Sequence, residues 1–132
     1  MNRLPPVGTE IPSLIRTPDA VDLFTFSAAA WLLHRIHYDL PFTTEHEKHP
    51  GLLIHGPLQG VYLVQTVENW LPHLQLRRLS YRHLAPAYLG DTLRGEGTVT
   101  ASDPGQIETE LRLSKDDGTV TTSGRAVFAV GR

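Results

Sequence analysis

Residues 56–72, GPLQGVYLVQTVENWLP, decide how the rest of the chain folds. A glycine-proline pair opens the run and Pro72 closes it. Proline suits the first helical position, where a missing N–H goes unnoticed, and it cannot extend a helix from within. Between these ends Leu58, Val61, Tyr62, Val64, Val67 and Trp70 leave almost no polar side, so the segment reads as a buried helix. At 1.5 Å per residue, roughly 15 residues span about 22 Å, enough to cross a small domain. A helix that is apolar nearly all round needs a wall that surrounds it.

The residues after Pro72 supply that wall. Their period changes from helical to two, and strands are expected near residues 75–86, 91–102, 106–114 and 119–130. In the first, Leu79, Tyr81, His83 and Ala85 alternate with Arg78, Ser80, Arg82 and Leu84. SDPGQ (102–106) and KDDGT (115–119) read as hairpin turns, with glycine where a positive φ is needed. Upstream, a strand is expected near residues 8–16 and a helix from Thr17-Pro18-Asp19 to about His34, with Val21, Leu23, Phe24, Phe26, Ala28, Trp31 and Leu32 as its stripe. Residues 35–55 read as loop. The sum is an α+β chain, residues 1–132 forming one domain in which a curved antiparallel sheet wraps one long central helix: the hot-dog fold.

Composition narrows the function. A formal charge of -2 on 132 residues offers no basic excess to attract nucleic acid or anionic lipid. With no cysteine, disulfides, thiolate nucleophiles and thiol-based zinc sites are all excluded. The start, MNRLPPVGTEIPSL, lacks the apolar core of a secretory signal, and no run approaches the roughly 20 apolar residues of a membrane span. A cytoplasmic location is expected.

Five of the seven histidines fall between residues 34 and 55. Around them, HRIHYDLPF (34–42), HPGLLIHGPLQG (49–60) and RRLSYRHLAPAYLGD (77–91) make the sequence resemble the MaoC-like hydratase and dehydratase family, especially its itaconyl- and mesaconyl-CoA hydratase-like branch. The likeness covers most of the chain. It implies an enoyl-thioester hydratase, or the reverse 3-hydroxyacyl-thioester dehydratase, acting on coenzyme A or acyl carrier protein substrates. No cofactor is implied beyond the coenzyme A or phosphopantetheine that the substrate itself carries. Members of that branch often have a second, upstream hot-dog half. This chain resembles the histidine-bearing half, which implies a homodimer or higher assembly, or a separate hot-dog subunit as partner.

The family's mechanism pairs an Asp with a His five residues later, and a glycine N–H at the start of the central helix polarises the carbonyl. His37 matches that histidine. Five residues back stands Leu32, where the family has Asp or, in the closer branch, Asn; leucine can neither take a proton nor orient water. Imidazole suits the remaining acid-base role because either protonation state is accessible near neutrality. Taken without its context, His37 also reads as a structural histidine bonded to backbone.

The other candidates keep two readings each. Asp39 either orients an imidazole or caps the turn before Leu40-Pro41. His34 either holds water in place of the missing Asp or is a loop residue; it would share a side with His37 if the first helix continued that far. Gly56 is the expected oxyanion donor, since N–H groups in a helix's first turn lack intrahelical acceptors, and the same N–H groups serve an ordinary cap. His55 could line that pocket. Arg77, Arg78 and Arg82 are candidates for substrate phosphate, Arg82 foremost, or plain exposed strand residues.

Two further classes are weaker. His34, His37 and Asp39 with His46, His49 or His55 offer enough ligand atoms for a metal, but neither a His-Glu-x-x-His pattern nor a cysteine pair is present, and no metal is expected. Residues 45–49 read as an exposed loop. A hot-dog thioesterase would want a carboxylate near the substrate carbonyl, and the central helix has only Gln59 at its start and Glu68 near its far end. Tyr62, Trp70 and Trp31 are assigned to the core or to a dimer contact.

Overall fold

The computed structural model describes residues 3–131. Its regular elements are β1 (Glu10–Arg16), α1 (Ala20–Ala30), α2 (Gly56–Glu68), β2 (Leu74–His83), β3 (Leu93–Ser102), β4 (Gln106–Ser114) and β5 (Val120–Val130). The five strands form one antiparallel sheet in the order β1-β3-β4-β5-β2. Every strand touches α2. That is the expected hot-dog arrangement, and it explains why α2 tolerates so little polar surface.

Pro57 occupies the first turn of α2, and Leu58, Gly60, Tyr62, Leu63, Thr66 and Val67 are buried along it. Leu63 and Val67 meet Leu93, Val99, Ile107, Leu113 and Phe128 in one cluster. Burying side chains of this size contributes about 1.5–3 kcal/mol each before the cost of ordering them. Along β4 and most of β3 buried and exposed residues alternate, as a sheet with one covered face requires. The strand β2 differs. Among the described residues it pairs only with β5, and apart from Leu74 and Leu79 its residues are exposed.

Four expectations need correction. The α1 stripe is not a core stripe: only Leu23 and Ser27 are buried, while Val21, Phe24 and Trp31 are 70%, 61% and 78% exposed. Trp31 therefore belongs to no core in this protomer. The helix also ends earlier than His34, because Trp31 takes a left-handed conformation (φ 56°) and its N–H turns back to Ala28. Residues 35–55 hold a 3-10 turn at Arg35–His37 and a π-helical turn at Phe42–His46. Of the two hairpin glycines, Gly118 has the positive φ (88°) but Gly105 does not. That turn is held by Asp103, whose Oδ1 accepts from the N–H groups of Gly105 and Gln106.

The start of α1 follows expectation, with Asp19 and Asp22 in reciprocal capping bonds. Among the described residues no helix is long and apolar enough to cross a membrane.

Candidate active site

The segment Leu52–Ile54 is fixed from two sides. Ile54 N–H donates to Ala87 and Leu89 N–H to Leu52, a short antiparallel pairing beyond the main sheet. On its other side Leu53 N–H donates to the Ile36 carbonyl, at 3.0 Å. The His37 ring completes this clasp, its Nδ1 lying 2.8 Å from the Leu53 carbonyl oxygen. A carbonyl only accepts, so Nδ1 carries the hydrogen and Nε2 of the neutral ring keeps its lone pair. Backbone pairing thus selects the tautomer. His37 is half-buried, and burial lowers its pKa, opposed in part by the Leu53 bond.

The next residue after this segment is His55, whose side chain is fully buried. Its ring stacks on that of His37, centroids 3.8 Å apart and planes 20° apart, with Phe26 edge-on at 4.9 Å on another side. Its Nε2 lies 2.7 Å from Ser27 Oγ, and its Nδ1 has no partner among the described residues. Burial, then the neighbouring His37, push its pKa down to about 4. Two imidazoles face to face in a dry setting cannot both be charged cheaply, so the pair is neutral near pH 7.

Gly56 follows His55 and opens α2. Its N–H makes no hydrogen bond to any described residue, as expected at a helix start. A β-carbon at Gly56 would run into the ring of His83, and one at Gly60 into the ring of Tyr81. The spacing explains this double fit. Four residues of helix advance about 6 Å and two residues of strand about 6.7 Å, so two glycines of α2 accept two rings of β2 in succession. The alternation of Tyr81 and His83 was visible in the sequence. That their face meets Gly60 and Gly56 depends on how β2 lies against α2.

Of the expected site residues, the structure brings His37, His55 and Gly56 together. It does not bring Asp39 or Arg82 with them. Asp39 Oδ2 binds Arg35 at 2.8–2.9 Å, and its Oδ1 accepts from Phe42 N–H at 3.2 Å. The Arg35 guanidinium holds this carboxyl below its usual pKa. Asp39 is therefore a turn cap and ion-pair partner, not the orienter of a ring. Arg82 points to the opposite face of β2 from His83, beside Glu110, Arg112 and Arg125 on the outside of the sheet. His34 Nδ1 accepts from Ile36 N–H and caps the 3-10 turn, its ring 6.4 Å from that of His37. It reaches His37 through this turn and not along α1. Gln59 is committed elsewhere, its Nε2 near the Ile54 carbonyl and its Oε1 accepting from Thr122. Glu68 is exposed at the far end of α2, about 18 Å from Gly56, so this helix places no carboxylate beside Gly56.

Residues 5–89, which hold the whole clasp, α2 and His83, match the family model of hydroxyacyl-thioester dehydratase type 2. The chain belongs to that family. This hydroxyacyl-thioester dehydratase type 2 homologue is 39% identical over 85 residues to the mesaconyl-C(4)-CoA hydratase of Chloroflexus aurantiacus, across 64% of its own length and 30% of the relative's. It spans less than a third of each of two curated relatives it matches. Among solved structures, the (R)-hydratase of A. caviae involved in PHA biosynthesis superposes with a TM-score of 0.85 at 22% identity, covering 95% of this chain and 96% of that one. The ChsH1–ChsH2 complex of Mycobacterium tuberculosis gives 0.84 at 18% identity, over 95% and 98%. At such identities the two superpositions establish the hot-dog fold and nothing finer.

Proposed function

We propose that this chain catalyses hydration of an enoyl thioester, or the reverse dehydration of a 3-hydroxyacyl thioester, carried on coenzyme A or acyl carrier protein. The observation that carries the reading is the tautomer of His37. Its bond to Leu53 leaves Nε2 as a free base, on a ring stacked against the residue that precedes Gly56. In hydration, Nε2 takes a proton from water as the oxygen bonds to C3, and the resulting N–H returns a proton to C2. The Gly56 N–H, with the partial positive charge of the α2 start behind it, stabilises the enolate-like oxygen of the thioester. No redox step is involved.

The name of the Chloroflexus relative, a hydratase of a CoA thioester, supports this chemistry. Following loss of the conjugated enoyl absorbance of crotonyl-CoA tests it. Turnover by the protein, reduced at least 100-fold in His37→Ala, is the expected result. An inactive protein, or an unaffected variant, would end the proposal.

We infer also that the working unit contains a second hot-dog copy or subunit. The strand β2 has one open edge with Leu76 and Tyr81 exposed on it, and such an edge is normally covered. The ChsH1–ChsH2 neighbour is named as a complex, and the curated relatives are more than three times this chain's matched length. Leu32 favours a second reading, a half-site subunit that binds the thioester while a partner supplies the missing polar group. Tight binding of crotonyl-CoA with no turnover, by the chain alone, would select it.

A further inference from the structure

His83 lies outside the chemistry described so far, yet its ring is seated on the residue proposed to hold the thioester carbonyl. What its two nitrogens do follows from a chain of hydrogen bonds. Gln59 Nε2 points to the Ile54 carbonyl (3.4 Å), which leaves Oε1 toward Thr122, 2.8 Å away. That oxygen can only accept, so the one hydroxyl hydrogen of Thr122 goes to Gln59. Thr122 Oγ1 must then accept from its other neighbour, His83 Nδ1, at 3.1 Å. Nδ1 therefore carries the hydrogen, which leaves Nε2, the ring atom nearest Gly56, as the nitrogen open to a ligand.

Thr122 and Gln59 are 0% and 3% exposed, so this relay is built into the core and does not re-form with each fluctuation of the surface. His83 as a residue is exposed although its bond to Thr122 is part-buried, so a ligand can reach it. His37 and His83 thus share one device. Each gives Nδ1–H to an acceptor held by the fold, the part-buried Leu53 carbonyl or the buried Thr122 hydroxyl, and keeps Nε2 unpartnered among the described residues, and each sits beside the start of α2.

A reacting water has two O–H bonds. If His37 Nε2 takes one proton, the other O–H needs an acceptor to fix the direction of the attacking lone pair. Leu32 has no atom for this. We propose that His83 is a substrate-contacting residue of the same site, its Nε2 accepting a hydrogen bond from the water, or the 3-hydroxyl, that reacts beside Gly56. The role rests on the hydratase reading of His37 and Gly56. It extends the site from residues 37–56 to the sheet edge, and makes β2 part of the chemistry.

The test separates this role from that reading. His83→Phe keeps a ring over Gly56 and removes the acceptor. Thr122→Val removes the atom that sets the tautomer. Against crotonyl-CoA, His83→Phe is expected to lower kcat about tenfold with little change in KM, and Thr122→Val to lower kcat by a smaller factor. Binding is read independently of turnover in the His37→Ala protein: the 15N resonance of His83 Nε2, a bare ring nitrogen without ligand, should shift toward a hydrogen-bonded value when 3-hydroxybutyryl-CoA is added. Full kcat in His83→Phe, or an unmoved Nε2 resonance with ligand bound, overturns the role of His83 and leaves His37 untouched. Loss of all turnover in the unmutated protein would instead strike the hydratase reading.

Discussion

The imidazole of His37 lies flat on that of His55, with ring centroids 3.8 Å apart. This stack ties the turn at residues 35–37 to the residue that precedes α2, and the burial of His55 makes the fold sensitive to acid. His55 has its pKa depressed to about 4, against 6.5 for the free side chain. Above 6.5 the ring is neutral folded or unfolded and contributes no pH dependence. Below 6.5 the unfolded chain binds a proton that the folded one refuses, so stability falls as pH drops toward 4. The loss from His55 is about 2 kcal/mol by pH 5. Urea midpoints measured from pH 8 to pH 5 should show it, and His55→Phe should flatten the curve. A midpoint independent of pH in the unmutated protein would contradict the burial of His55.

Ser27 gives His55 its one hydrogen bond among the described residues, at 2.7 Å. Ser27→Ala leaves both ring nitrogens of a fully buried histidine unpartnered, which costs about 1–3 kcal/mol. Because the same bond holds α1 on the site, hydrogen exchange in Ala20–Ala30 should rise more than in β4. Uniform change across the chain would argue against a local link.

Gly56 and Gly60 occupy like positions one turn apart, each under a ring of β2. Only Gly56 belongs to the proposed chemistry. Gly56→Ala pushes His83 away and crowds the free N–H, and turnover should fall about 100-fold. Gly60→Ala displaces Tyr81 instead and should lower the melting temperature while kcat stays within a small factor. Equal losses of kcat in the two variants would mean that helix packing, not the N–H at the helix start, controls activity.

Asp39 is bonded to Arg35 and to Phe42 N–H and hydrogen-bonds to no imidazole among the described residues. Asp39→Asn should therefore keep kcat within about threefold of the parent, since only a surface ion pair and a turn cap are weakened. A hundredfold loss would restore Asp39 as a ring-orienting group and refute the geometry.

The sequence carried much of the architecture because its signals are local. The Gly-Pro start of α2, its lack of a polar side, the shift to period two after Pro72 and the KDDGT turn each act within a few residues, and all reappear in the structure. The candidate site was partly legible for the same reason. The pairing of His37 with Gly56 rested on neighbouring motifs, although segment 36–37 meets segment 53–55 only through backbone bonds that no periodicity records. The α1 stripe misled because an apolar period reports a preference for burial and not whether the protomer itself supplies the cover.

By itself the sequence determined the order of the main helices and strands, and it set a cluster of imidazoles in the stretch that leads into a helix start. Only the tertiary structure decided the state and address of each ring. Leu53 and Thr122 select tautomers from across 16 and 39 residues of chain, Arg35 withdraws Asp39, and the pleat of β2 turns Arg82 away while turning His83 in. The reason is physical: a side chain's chemical type is written at its own position, whereas its hydrogen-bond partner and its dielectric surroundings come from whichever distant segments the fold lays against it.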